Sequence, residues 1–384
     1  MLRITNLRNG TVLNRHNGVE RDNSLEFVVE GVCESPGQIK VNGVAAERNN
    51  LVFHAPVRLT GAFNEIVVQT KNNYGEFQQS VKVVWDRKSF KRYDFFIDDN
   101  VFFLTDIHKD KSKSLFEHFY LKKLLELHKN YGTKFVLNLF YRNDHNPFII
   151  KDFPDKYKSE WRDNSDWLKL SFHAYSEFPD RPYQNATPQK LATDYDLVKS
   201  EVVRFAGEQS FQPPTVIHWG MLPPDNFHVL SERGVKVLSG FFIDAKTYVG
   251  EADRTEQVTD IGYYQDLDKS LYLLNNHVLY DFEHALVFVK GSCCANLTPI
   301  DEIPAELKKA CENPVYNETI GLATHEQYSF PYYHNHIPDH LERVETAIRC
   351  VTDRGYAPVF FHDGFLGNTA DATGCRPPPR PPVQ

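Results

Sequence analysis

From Leu2 to about Trp85 the chain alternates apolar and polar residues in short runs that are separated by turn residues. The clearest of these runs begin at Leu25, Gln38, Leu51, Glu65 and Gln79. A period of two residues is that of a strand with one buried face, and turns at regular spacing are typical of a β-sandwich. We therefore predict an all-β sandwich over residues 1–88.

Beyond about Arg87 the pattern changes to strand-like runs that alternate with amphipathic helices. One helical stripe covers residues 114–131 and another covers residues 339–354, and each ends at a glycine that precedes a strand-like run. Strands that alternate with helices of this length are typical of a parallel sheet. The pattern predicts a barrel-like α/β domain over residues 89–368.

Polar clusters follow several of these strand-like runs. In barrel-like α/β domains the loops at the carboxyl ends of the strands carry the chemistry. The clusters at such positions are Asp98-Asp99, His173, His218-Trp219, His325-Glu326 and His362-Asp363. Their recurrence favours a single active site that is assembled from several strand ends.

Asp98 and Asp99 are the most informative of these residues. They lie between the apolar runs Phe-Phe-Ile and Val-Phe-Phe-Leu, and an uncompensated buried charge is costly. One carboxylate could bind a divalent cation while the other takes a proton from water. The alternative is that the pair caps a turn, where aspartate is favoured.

His173 and Glu177 are four residues apart, which brings both side chains to one side of a helical turn. Histidine and carboxylate ligands suit zinc and similar cations. With Asp99 they would form a set of three ligands that leaves a coordination position open. The alternative is a surface histidine beside an acidic turn.

The remaining clusters suggest substrate contacts. Trp219 could stack on a sugar ring or lie in the core, and His325 could be a general acid or a structural histidine. The neighbours His362 and Asp363 could orient an imidazole, or form an ordinary turn with Gly364. We assign substrate binding to His218, Trp219, Glu326, Tyr328, His362 and Asp363.

Composition narrows the class of protein. The formal charge is -8 and no basic stripe is present, so we expect no nucleic-acid partner. No apolar run reaches the length of about 18 residues that a membrane span requires. The first residues lack the apolar core of a secretion signal, so we expect an intracellular protein, or a secreted or periplasmic one whose signal has been removed. The six cysteines indicate no disulfide framework, and residues 369–384 are predicted to be an unfolded proline-rich tail.

The order of the polar clusters resembles the polysaccharide deacetylase family over roughly residues 90–365. Ile97-Asp98-Asp99-Asn100 is similar to the strand end that supplies that family's catalytic base and first metal ligand. His173-Ala-Tyr-Ser-Glu177 is similar to its second motif, with glutamate in place of the second metal-binding histidine. The loop from His218 matches the family's third motif only loosely and lacks its arginine. His325 corresponds by order to the family's acid.

The resemblance implies a distorted (β/α) barrel and a divalent metal, with zinc the first expectation. It implies that Asp98 is the base, that His325 is the acid, and that Asp99, His173 and Glu177 bind the metal. The implied reaction removes acetyl groups from a polysaccharide or oligosaccharide. Residues 39–76 resemble the small immunoglobulin-like modules that accompany secreted carbohydrate enzymes.

Two other functions stay open from the sequence. A carboxylate pair such as Asp98 or Asp99 with Glu177 could cleave a glycosidic bond without a metal. The departures in the second and third motifs also fit a carbohydrate-binding protein that has lost catalysis.

Overall fold

The computed structural model of the chain describes residues 1–73, 75–240, 242 and 262–371. From residue 372 onward, the predicted proline-rich tail lies outside the described residues. No helix in the described part of the chain has the length and apolar composition needed to cross a membrane.

The first region consists of short and medium-length strands. They are β1 Leu2–Ile4, β2 Val12–Leu13, β3 Val19–Arg21, β4 Ser24–Cys33, β5 Ile39–Val41, β6 Val44–Ala45, β7 Glu47–Asn49, β8 Val52–Leu59, β9 Phe63–Asn72 and β10 Gly75–Trp85. One sheet contains β1, β3, β4, β7 and β8, and the other contains β2, β5, β6, β9 and β10. Every second residue of β4 and β8 is buried, as the period of two predicts.

The two sheets share one apolar core. Phe27 and Phe53 come from one sheet, whereas Ile66, Val83 and Trp85 come from the other. The region is therefore a pair of facing sheets, and its finer description as an immunoglobulin-like module stays a prediction.

The second region alternates strands and helices. Its strands are β11 Arg92–Asn100, β12 Phe135–Phe140, β13 Arg142–Asn143, β14 Phe148–Ile149, β15 Leu168–Ala174, β16 Val237–Gly240, β17 Val278–Asp281, β18 Leu286–Lys290, β19 Cys293–Cys294, β20 Thr319–His325 and β21 Ala357–Pro358. Its α-helices are α1 Phe102–Asp110, α2 Phe119–Tyr131, α3 Lys158–Asp163, α4 Pro188–Phe205, α5 Phe227–Glu232, α6 Leu267–Asn276, α7 Ile303–Cys311 and α8 His340–Thr352. Single 3₁₀ turns occupy Leu115–Glu117, Ile150–Asp152, Asp155–Tyr157, Glu208–Ser210, His218–Gly220, Pro224–Asn226, Gly262–Tyr264, Glu326–Ser329 and Thr369–Asp371.

The ends of two helices follow the local sequence rules. The hydroxyl of Thr187 accepts a hydrogen bond from the backbone N–H of Lys190, and Pro188 occupies the first turn of α4. Helix α2 ends at Gly132, whose φ of 71° is a left-handed conformation that glycine adopts at little cost.

A parallel sheet with the order β15-β12-β11-β20-β19 positions the candidate residues. A smaller sheet contains β16, β18 and β17. The segment 212–215 bridges the two sheets on one side, because Gln212 donates to Leu170 of β15 and Ser239 of β16 donates to Thr215. On the other side the chain runs from β18 directly to β19, and Ser292 donates to Gly321 of β20. Because β16 is parallel to β18, the strands of both sheets except β17 run in the same direction. The carboxyl ends of the parallel strands therefore lie at the same end of this region.

The inner face of the large sheet carries a small apolar layer. Phe96 of β11, Val136 of β12 and Ala323 of β20 pack there with Val216, Cys294 and Phe360. Phe96 precedes Asp98 by two residues on the same strand, so this apolar layer lies close to Asp98 along β11.

The two regions are joined by buried charged contacts. Arg92 forms an ion pair with Asp86, and its Nε donates to the carbonyl of Leu366 at 2.6 Å. Glu318, which is 2% exposed, pairs with Arg15 and with His16. The facing sheets are thus packed directly against the α/β region.

Candidate metal centre

Asp99 lies in a bulge at the end of β11. The pairing of β11 with β12 shifts between Ile97 and Asn100, because three steps along β11 match two steps along β12. Asp99 has a φ of 62°, a left-handed conformation that aspartate tolerates better than most residues. Successive strand residues normally point to opposite faces, and bulges change the direction of a side chain. The bulge allows both Asp98 and Asp99 to face the same buried site.

Asp99, His173 and His218 converge on one point. Asp99 Oδ1 is 3.1 Å from His173 Nε2 and 3.4 Å from His218 Nδ1, and the two nitrogens are 3.0 Å apart. Ligands of a tetrahedral zinc ion at about 2.05 Å are about 3.3 Å from one another. The three atoms therefore have the spacing of one face of a metal coordination shell.

The electrostatics of the group favour a bound cation. Burial would raise the pKa of Asp99, but the adjacent imidazoles of His173 and His218 outweigh it and hold this pKa well below its usual range. Burial lowers the pKa of His173 to about 4, so this imidazole is neutral at pH 7 and can offer a lone pair. A buried ionised carboxylate beside neutral imidazole is an arrangement that a divalent cation stabilises.

Two amides orient the carboxylates. Gln327 Nε2 donates to Asp99 Oδ2 at 2.7 Å, which leaves Oδ1 directed at the imidazoles. Asn138 Nδ2 donates to Asp98 Oδ1 at 2.7 Å. Hydrogen bonds of this kind fix the ligands of metal sites.

Asp98 is next to the group without belonging to it. Its Oδ1 is 3.8 Å from His173 Nδ1, longer than a hydrogen bond. Burial raises the pKa of Asp98 well above its usual range, and the neighbouring charge of Asp99 adds to this effect. Asp98 therefore holds a proton more tightly than a solvated aspartate, and a cation bound beside it would favour the ionised form that a base requires.

His325 ends β20, where it pairs in register with Asp98. Its Nδ1 lies 2.9 Å from Asn296 Oδ1, which is an acceptor, so Nδ1 carries the proton in the neutral ring. Burial lowers the pKa of His325, and the negative charge of Asp99 opposes this only in part.

The structure does not bring Glu177 into the ligand group. Its carboxylate lies 2.5 Å from His145 Nε2, and the three-residue group contains His218 instead. Because β15 ends at Ala174 and no helix begins there, the helical proximity expected of residues 173 and 177 does not arise. His218, which the sequence assigned to substrate binding, takes the position expected for Glu177.

Two of the predicted substrate residues lie beside histidines of the candidate site: the Trp219 ring is 6.1 Å from that of His218, and Tyr328 is next to His325. Trp219 is 43% exposed, and the guanidinium of Arg181 lies 4.5 Å from its ring centre. The Tyr328 ring lies 6.2 Å from that of His325. Both placements leave a substrate role open.

Glu326 has a different environment from the one expected of a substrate residue. It is fully buried, and its carboxylate accepts hydrogen bonds from the backbone N–H groups of Val101, Phe102 and Phe103. These are donors of the first turn of α1, which have no partner within the helix. Glu326 therefore stabilises the start of α1 and is not available to a substrate.

His362 and Asp363 lie toward the amino ends of the strands. His362 Nε2 is 3.1 Å from the carbonyl of Pro214, and the His362 carbonyl accepts from Lys236, the residue that precedes β16. The strand-like run before them, of which Ala357–Pro358 forms β21, pairs with the first residues of β11 rather than with its end. The two residues are thus at the opposite end of the region from Asp99.

Four residues that contact the predicted site residues were not indicated by the sequence pattern: Asn138, His145, Asn296 and Gln327. Asn138 had a usable signal, because it is a polar residue inside the apolar run of β12. Gln327 is two residues beyond His325, and no local pattern distinguishes it. The three amides contact the site only through residues that are distant in the chain: Asn138 bonds to Asp98, Asn296 to His325, and Gln327 to Asp99.

No model of a known protein family matches the chain, and no curated protein matches it. Among solved structures, the chain is similar to a peptidoglycan N-acetylglucosamine deacetylase with 14% identity and a TM-score of 0.33, over 70% of this chain and 85% of that one. It is also similar to a Bacteroides ovatus xyloglucanase with 11% identity and a TM-score of 0.29, over 92% of this chain and 99% of that one. TM-scores this low assign neither a fold nor a function to the chain.

Proposed function

We propose that the protein is a metal-dependent hydrolase that removes acetyl groups from a polysaccharide or oligosaccharide. The observation that carries the proposal is the convergence of Asp99 Oδ1, His173 Nε2 and His218 Nδ1 within 3.0–3.4 Å of one another. The proposal includes a distorted (β/α) barrel for the second region and zinc as the first candidate metal.

In the proposed reaction, a divalent cation held by Asp99, His173 and His218 would supply Lewis-acid polarisation of the acetyl carbonyl and of water. Asp98, in the ionised form that a neighbouring cation would favour, accepts a proton from the attacking water. The water oxygen bonds to the carbonyl carbon, and the bond from that carbon to the sugar oxygen or nitrogen breaks. His325, when protonated, gives its proton to the departing sugar atom, and acetate is the second product.

The test measures metal content and acetate release together. Wild-type protein is stripped with a chelator, reloaded with zinc, and assayed on N-acetylchitotetraose and on acetylated xylotetraose. We expect bound metal close to one equivalent, acetate release from at least one of the two, loss of release on stripping and recovery on reloading. Acetate release that survives stripping, or its absence from the loaded protein on both substrates, would contradict the proposal.

A second acidic cluster supplies the matched control. Asp281, Glu283 and His284 also lie close enough to hold an ion, but this group lies on a turn and is partly exposed. His284→Ala should leave metal content and acetate release unchanged, whereas His173→Ala should remove both. If His284→Ala removed the metal and acetate release while His173→Ala kept both, the metal would be bound at Asp281 and His284, and the proposed metal centre would be wrong.

A further inference from the structure

A cavity of about 460 Å³ lies beside the candidate metal centre. It is formed by residues of α1, the turn between β13 and β14, and the segment 332–334. The volume is within the range of about 300–1,000 Å³ that small-molecule sites occupy. None of its residues belongs to the metal group or to the substrate residues discussed above.

One wall of the cavity is aromatic. Tyr332 stacks on Phe102 with ring centres 5.5 Å apart and an interplanar angle of 16°. Phe102 is buried, but Tyr332 remains 53% exposed, so its ring still presents apolar surface to solvent. Tyr333 packs edge-on against Phe102 at 5.8 Å and against His145 at 5.5 Å.

The rest of the lining is polar. It contains Asp106 and Lys109 of α1 with Asn146. Asp106 accepts a hydrogen bond from the Tyr332 hydroxyl at 3.1 Å, which holds the ring in place at the rim. Besides Asp106, Lys109 and the imidazoles of His145 and His334, the lining is uncharged, so it offers a single ammonium group and an adjacent carboxylate rather than a cluster of cations for an anion such as phosphate.

Ring contacts connect the cavity with the residues around the metal centre. His145 lines the cavity and pairs with Glu177. Tyr333 packs on Tyr328 at 5.5 Å, and Tyr328 packs on His325 at 6.2 Å. The cavity is therefore a neighbour of the reaction site and not a remote surface feature.

We propose that this cavity is a saccharide subsite, which binds a neutral pyranose unit of the same glycan chain whose acetyl group is at the metal centre. A pyranose ring has an apolar C–H face and a rim of hydroxyl groups. The exposed Tyr332 ring matches the face, and the carboxylate, amide and ammonium groups of the rest of the lining match the rim. The inference rests on the proposed function for the position of the acetyl group.

The test compares a long substrate with a short one that has no sugar. Tyr332→Ala should raise KM for the acetylated tetrasaccharide about tenfold, the equivalent of about 1.4 kcal/mol, and leave kcat and the hydrolysis of 4-nitrophenyl acetate unchanged. Tyr332→Phe keeps the ring and should stay within about threefold of wild type. Lys109→Ala, a substitution on the exposed side of α1, should raise the same KM by a smaller factor. Phe77→Ala removes a ring of similar exposure from β10 and should change nothing.

The result separates this inference from the proposed function. An unchanged tetrasaccharide KM in Tyr332→Ala, or an equal rise in Phe77→Ala, would overturn the subsite while acetate release still stands. If the wild type releases no acetate, calorimetry with N-acetylchitotetraose and acetylated xylotetraose decides instead. Binding that Tyr332→Ala weakens tenfold supports the subsite without the reaction, and the absence of wild-type binding to both overturns it.

Discussion

Buried charges at the two ends of β11 have different kinds of partner. At its beginning, the Arg92 guanidinium pairs with Asp86 and donates to two backbone carbonyls, and Asp86 also accepts from Asn368. At its end, Asp99 is held ionised by two imidazoles and one amide. The first end is satisfied by the protein itself, whereas the second offers lone pairs to a cation.

Asp94, between these ends, shows a third solution. Burial raises the pKa of Asp94 to about 8, and the nearby charge of Asp363 adds to this shift. At neutral pH Asp94 is therefore protonated and carries no charge. Burial of a carboxyl group therefore does not by itself identify a site. The Arg92 guanidinium balances the charge of Asp86, and protonation removes the charge of Asp94. Of these three carboxyl groups, Asp99 alone keeps a charge without a guanidinium or ammonium partner in the described part of the chain.

The largest expected effect comes from the ligands at the end of the strand. His218→Ala should reduce bound zinc to less than about a tenth and acetate release to below about a thousandth of wild type, because two ligands hold an ion poorly. Glu177→Ala should keep the metal, since that carboxylate pairs with His145. Metal analysis and acetate assays check both, and metal loss in Glu177→Ala alone would reverse the ligand assignment.

The next effect concerns the beginning of the strand and is on stability. Asp86→Ala leaves the buried Arg92 charge without its partner, and we expect the free energy of unfolding to fall by about 3–5 kcal/mol. Asp268→Ala breaks an exposed pair with Arg8 and should cost less than about 1 kcal/mol. Urea unfolding measures both, and zinc affinity should not change in either variant. Equal losses of stability in the two variants would contradict the expectation that the buried ion pair matters more than the exposed one.

Asp98→Asn tests the base without removing a ligand. The amide keeps the size of the side chain but cannot accept a proton from water, so kcat should fall about 100- to 1,000-fold. Zinc content should stay at the wild-type level. A variant that loses the metal would show that Asp98 is a ligand, and one with unchanged kcat would show that it is not the base.

The last prediction concerns the pH dependence of stability due to Asp94. Its pKa of about 8 in the folded state lies above the unfolded value of about 4, so the folded state keeps a proton that the unfolded chain has lost. The stability that this provides is fully present below about pH 4 and declines as the pH rises to about 8. Asp94→Asn should flatten that decline in unfolding experiments from pH 5 to 8, and an unchanged slope would contradict the neutral state of Asp94.

Much of the architecture could be predicted from local pattern. The period of two gave the strands of the facing sheets, and the cap at Thr187 and the stop at Gly132 gave the ends of two helices. These features depend on neighbours in sequence. The connection of the two parallel sheets through backbone hydrogen bonds depends on residues such as Leu170 and Gln212, which no local pattern relates.

The site could be predicted only in part, for the same reason. Strand ends indicated Asp98, Asp99, His173, His218 and His325, because side chains there meet at one end of a parallel sheet. Local spacing favoured Glu177 over His218 as the third ligand, since residues four apart are close only within a helix. The bulge at Asp99 and the turn after β15 decide the ligand set, and both depend on pairing with distant strands.

Anomalous diffraction from a crystal soaked in zinc tests the metal centre most directly. We predict a peak at about 2.0–2.2 Å from Asp99 Oδ1, His173 Nε2 and His218 Nδ1 together. A crystal with no peak there, or with its peak at Asp281 and His284 instead, would contradict the account.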